Sequence, residues 1–245
     1  MSSINVKHPN LVEAFLISVS IFGLALSTFF VFYPSILADD FAYRNLTIGS
    51  AFGAVCVLGI CAALFPSSCL AIPHFWKSDR NNRRKLKVYE TTLRAHHPSC
   101  DNFSTHILII GNMNFCATCS GLLVGAILAL LGTGLYFFGS FSIGDPAILV
   151  LIGAGGVSVG LLQSALPKFS SGYSRFFASI LFVLGAFLML VSIDMAVKNT
   201  SIDLFFVVLS VLWILTKISL SQRDHKLTCS NCSAKSCRHN KKGIR

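Results

Sequence analysis

The chain has 245 residues, 53% hydrophobic and only 12% charged, with a mean hydropathy of +0.69. Soluble domains carry about a quarter charged residues, so this composition excludes an ordinary water-soluble globule. The net charge of +10 does not call for nucleic acid as a partner, because the basic residues sit in short segments between long apolar runs.

A helix needs about 20 apolar residues to cross the hydrocarbon layer, and six runs approach or exceed that length. After a polar start, Met1–Asn10, the charge-free stretch Ala14–Ala38 reads as the first span. It is too long, and too thinly flanked by basic residues, for a cleaved signal peptide. Asp39, Asp40 and Arg44 mark a short loop, and the second span covers Leu46–Leu70, ended or kinked by Pro66.

Lys77–Arg94 then holds seven Lys/Arg against Asp79 and Glu90, with Leu86, Tyr89, Thr92 and Leu93 on one side at helical spacing. Further on, His106–Ile110 and Met113–Phe115, separated by Gly111-Asn112, predict a small hairpin or knuckle. The remaining spans fall at Gly121–Phe138, Ala147–Leu166, Phe176–Ile193 and Leu204–Leu220. Lys168 and Arg175 lie in a loop before the fifth, and Lys217 extends its amine from the sixth toward the interface.

The expected organisation is an all-α integral membrane protein with six transmembrane helices and a small Cys/His-rich cytoplasmic cap. Residues 11–72 hold helices 1–2, 73–119 a basic cytoplasmic loop with the Cys/His motif, 120–221 helices 3–6, and 222–245 a basic Cys/His-rich tail.

The positive-inside bias places both termini in the cytoplasm of a multi-pass cell-membrane protein. With that orientation 18 of the 20 Lys/Arg fall on the inner side, and only Arg44 and Lys198 outside. Inner-leaflet anionic headgroups then complement the charge, and the lipid bilayer is the first partner. Of four Asn-x-Ser/Thr matches, only Asn45 and Asn199 face outward.

The spans themselves look poor in ionisable groups. Glu13 and Lys217 are near span ends, and Gln163 is the one large polar side chain inside. That argues against a proton-driven pump. Glycines four apart, Gly49/Gly53, Gly121/Gly125 and Gly156/Gly160, predict close helix packing. Gly153-Ala154-Gly155-Gly156 could also break a helix, but glycine is common in membrane helices and packing is the preferred reading.

The chemistry concentrates in His96–Gly125. Six of the nine cysteines fall in segments assigned to the reducing cytoplasm, where paired thiols beside histidine more often bind metal than form disulfides. The other three, Cys56, Cys61 and Cys69, read as small apolar packers. Cys116-x-x-Cys119 presents two sulfurs on one tight turn. His96, His97, Cys100 and His106 supply further ligands, and a turn at Pro98 pairs His97 with Cys100. His-x2-Cys and Cys-x2-Cys across a 15-residue loop match the spacing of a tetrahedral zinc site. The tail offers a second set: Cys229, Cys232, Cys237 and His239, near His225. It resembles a zinc knuckle with its last two ligands closer than that pattern prefers, and it also lies within reach of the first site.

Two other readings compete for the motif. At the start of a helix, Cys116 and Cys119 lie in the positive end of the dipole, which favours thiolate and suits a membrane thiol–disulfide oxidoreductase. Alternatively the segment is a polar cap with unligated thiols and hydrogen-bonded histidines.

His-His-Pro-x-Cys, a later His, then Cys-Ala-x-Cys-Ser-Gly-Leu-Leu-x-Gly resembles a family of uncharacterised prokaryotic membrane proteins of unknown function, in its archaeal-type form. His96, His97, Cys100, His106, Cys116, Cys119, Gly121 and Gly125 fit the pattern, which covers about an eighth of the chain; the tail cluster lies outside it. The resemblance implies a membrane protein and brings no activity with it.

Together these readings predict a membrane protein with a structural or regulatory zinc site, docking partner membrane-protein subunits as an accessory or scaffold. A transporter of a small neutral solute is the remaining class. No small-molecule substrate is identified and no Ser-His-Asp order, phosphate loop or carboxylate pair is evident; Asp101 is the one local carboxylate.

Overall fold

The computed structural model of the protein describes residues 11–34, 42–64, 107–110, 113–139, 144–166 and 171–230, without the side chains of 107, 109, 110, 113, 114 and 225–230. Six helices long and apolar enough to span a membrane make up almost all of this: α1 (Leu11–Phe32), α2 (Arg44–Leu64), α3 (Ala117–Thr133), α4 (Pro146–Ala165), α5 (Gly172–Val197) and α6 (Thr200–Ser230). The strands β1 (Ile107–Ile110) and β2 (Met113–Cys116) pair antiparallel as the expected hairpin, and a π turn (Gly134–Phe138) continues α3.

Local chemistry sets the helix starts. Asp145 caps α4, its Oδ1 accepting from the Ala147 amide at 2.7 Å, with Pro146 in the first helical position. Ser171 caps α5, and Asn199 Oδ1 accepts the Ser201 and Ile202 amides at the start of α6. The short connection between α5 and α6 turns at Lys198, whose φ of 51° is left-handed.

α5 is the axis of the bundle, packed against α4 on one side and α3 on the other. Small residues allow this approach. A Cβ at Gly121 would run into the Phe176 carbonyl oxygen, and one at Gly125 would meet Ile180 and Val183. Gly156 and Gly160 do the same toward Leu181, Phe182 and Ala178, so two of the four-spaced pairs mediate close helix packing as expected. Gly153–Gly156 lies within the unbroken α4, and the packing reading holds there rather than the alternative of a break: Gly153 and Gly156 press against Gly185 and Leu181 of α5.

Large apolar side chains cover the outside. Phe15, Phe22 and Phe29 of α1 and Ile148, Leu151, Ile152 and Leu162 of α4 are all more than half exposed. Exposed apolar side chains in this number suit lipid better than water. At 31 residues, α6 is about 46 Å long, well beyond the ~30 Å hydrocarbon core.

Two expectations about charge are corrected. Lys217 does not reach for the interface: it is 2% exposed, and its amine donates to the Gly160 carbonyl at 2.9 Å and to Ser164 Oγ at 3.3 Å, 5.1 Å from the Phe182 ring centre. Nor are the helices poor in buried ionisable groups, since Arg175, Asp194, Asp203 and Asp224 are all buried within them. Arg175 belongs to the first turn of α5 and not to a loop.

Candidate functional site

The hairpin and the start of α3 form one unit. The β1–β2 register pairs Ile107 with Cys116 and Leu108 with Phe115. Leu108 is buried, and β1 rests against α5 while β2 runs directly into α3. Cys116 is the last residue of β2 and the N-cap of α3, with φ −71° and ψ 116°. Cys119 is therefore the third residue of the helix, and the two thiols share its first turn.

That geometry sets the chemistry of Cys116. The Cys119 thiol hydrogen-bonds to its sulfur. The amides of Thr118 and Cys119 face the same sulfur without closing a capping hydrogen bond, and the Arg175 guanidinium adds its field. Against the opposing effect of burial, these lower the Cys116 thiol from 9.0 to about 6, so it is largely thiolate at neutral pH. A helix N-terminus with a neighbouring cation is the usual setting for a reactive or metal-binding cysteine.

The two motif glycines explain why the cysteines sit beside Arg175. Gly121 lies flush against Phe176, the residue after Arg175, so the first turns of α3 and α5 touch. Arg175 Nη1 in turn donates to Asp224 Oδ2 at 3.0 Å, tying this end of α5 to α6. Arg223 and Glu13, 3.5 Å apart, tie α6 to α1 at the same end.

Of the residues singled out in the sequence, Cys116 and Cys119 are brought together. His96, His97, Cys100, His106, Cys232, Cys237 and His239 lie outside the described residues. Cys229 falls in the last turn of α6, which continues nine residues into the segment read as a tail. Among the described residues no three His, Cys, Asp or Glu gather as a metal site. Cys56 is buried in α2 as a packing residue, whereas Cys61 is exposed; Cys69 lies outside the described residues.

Arg175, Asp224 and Lys217 were not singled out from the sequence as members of a buried polar end. One signal was there for two of them. Phe206, Trp213, Lys217, Leu220 and Asp224 recur at helical spacing on a single stripe, and all are buried.

Comparison with protein-family models, with curated proteins and with solved structures finds no match in any of the three.

Proposed function

We propose that this six-helix chain is a multi-pass membrane protein built around a zinc-type centre at the cytoplasmic end of its bundle, with a structural or regulatory role as an accessory subunit of a membrane complex. The observation that carries the reading is the hairpin register. Ile107 pairs with Cys116, and His106 is the residue before Ile107, one Cα step of about 3.8 Å along the chain. The segment with His96, His97, Cys100 and His106 therefore enters the hairpin at the end where the two thiols converge. The proposed first shell is His97, Cys100, Cys116 and Cys119, with His96 and His106 as the remaining donors. Two sulfurs from a helix's first turn and two ligands from the preceding segment make a closed tetrahedral set.

The cytoplasmic placement rests on the distribution of Lys and Arg along the chain. Such a centre would hold the basic 73–119 segment against the bundle and offer a docking face to a partner subunit. Cys229 in α6, with Cys232, Cys237 and His239, forms a second candidate set on the same side.

The lowered Cys116 thiol favours a second reading, a thiol–disulfide oxidoreductase. The Cys116 thiolate would attack a substrate disulfide and release one substrate thiolate. Cys119 would then attack the mixed disulfide, leaving a Cys116–Cys119 disulfide and a fully reduced substrate, and a cytosolic dithiol would return the two electrons.

Metal analysis and thiol titration of protein purified without reductant or chelator separate the two. One zinc or more per chain, lost in C116S/C119S, with thiols that react only after chelation, supports the centre. A metal-free protein whose Cys116–Cys119 pair cycles between dithiol and disulfide overturns it in favour of the oxidoreductase.

A further inference from the structure

At the end of the bundle opposite Cys116, four helices contribute to one buried polar cluster. Arg44, the first residue of α2, forms an ion pair with Asp194 Oδ1 near the end of α5, and its Nε donates to Asp203 Oδ2 of α6 at 3.0 Å. Its Nη2 also donates to the Asp194 carbonyl at 2.9 Å. The π turn after α3 aims Tyr136, whose hydroxyl donates to Asp194 Oδ2 at 2.7 Å. π turns recur where a helix must redirect a functional side chain.

The donor count leaves one oxygen over. Both Asp194 oxygens and Asp203 Oδ2 have donors, but Asp203 Oδ1 has no hydrogen-bond partner although Asp203 is 0% exposed. Arg44 bonds to both carboxyls, which makes the Asp203 and Asp194 side chains neighbours. Two carboxylates against one guanidinium also leave one negative charge uncompensated, which is costly where Asp203 is wholly buried. The charged and titratable groups facing this pair among the described residues are Arg44 from α2 and Tyr136 from the π turn. Lys198, between α5 and α6, is exposed.

We propose that Asp194 and Asp203 form a one-proton binding site, with the proton on Asp203 Oδ1 and shared toward Asp194. A proton satisfies every feature at once: it turns the orphaned acceptor into a donor, cancels the excess charge and needs no further ligand. A monovalent cation supplies the same charge but needs several oxygen ligands, and among the described residues Asp203 Oδ1 is the one buried side-chain oxygen without a partner. Loss of the proton would leave two carboxylates repelling one another across the ends of α5 and α6, with only the Arg44 guanidinium bonded to both.

Infrared spectroscopy of the full chain in lipid tests this. The wild-type protein at neutral pH is expected to show the carbonyl stretch of a protonated carboxylic acid, shifting on transfer to D2O. D203N, whose amide keeps a donor toward Asp194, is expected to lose that band and retain the wild-type melting temperature. Absence of the band in the wild type overturns the proposal whatever the variant does, as does a band that persists in D203N. A melting temperature that rises with NaCl or KCl but not choline chloride at equal ionic strength overturns it in favour of a cation.

Discussion

Arg175 Nη1 and Asp224 Oδ2 lie 3.0 Å apart, with side chains 5% and 8% exposed. They join residues 49 positions apart in sequence and close the end of the bundle on which the Cys116–Cys119 turn rests. A buried pair of this kind contributes little over an apolar substitute, but breaking it strands a charge.

Removing one partner should therefore be severe. Asp224→Leu leaves the Arg175 guanidinium without its carboxylate and is expected to cost on the order of 3–5 kcal/mol, read as a large drop in melting temperature in detergent. The double change R175M/D224L is expected to recover most of that loss. A double variant as unstable as the single would contradict the account of this pair.

Arg175 also acts on the thiol. In metal-free protein, iodoacetamide labelling of Cys116 is expected to reach half its maximal rate near pH 6, not near pH 9, because the folded environment lowers the thiol to about 6. The sign follows: the thiolate's contribution to stability is complete above pH 9 and fades as pH falls toward 6. In R175M, with its cation gone, the labelling profile should move to higher pH. Identical profiles in the two proteins would remove Arg175 from the site.

Lys217 should behave differently from Arg175. Its amine lies over the Phe182 ring and donates to Gly160 and Ser164 oxygens, so Lys217→Met removes a buried charge while keeping the length of the side chain. The Gly160 carbonyl also accepts from Ser164 Oγ at 3.1 Å, so it is not orphaned by the change. The variant is expected to melt at or above the wild-type temperature. A fall as large as that of D224L would show that the ammonium has a further partner.

The motif glycines give a steric test. Gly121→Ala pushes a methyl into the Phe176 carbonyl and Ser179 and should separate α3 from α5, destabilising the fold and raising Cys116 labelling. Gly155→Ala meets open space and replaces a poor helix former with a good one, a gain of up to about 1 kcal/mol. Equal effects of the two would argue against close α3–α5 contact.

Much of this was legible in the sequence. Apolar runs long enough to cross a bilayer located all six helices, and the Gly111-Asn112 break located the hairpin. The ends were less legible. Arg175 lies in the first turn of α5 and Asp224 at the end of the apolar part of α6, where a sequence reads like an ordinary membrane–water boundary; only a partner on another helix makes them a buried pair. Tyr136 reads as one aromatic in an apolar run until the π turn directs it to Asp194. The same holds for Asp203, which looks like a loop acid and is wholly enclosed.

The most direct test of the central claim is zinc-edge X-ray absorption on protein purified from native membranes without added metal. The account predicts a bound zinc with sulfur near 2.3 Å and nitrogen at about 2.0–2.1 Å, the sulfur signal falling in C116S/C119S. No zinc edge, or a shell of light atoms unchanged in that variant, would contradict it.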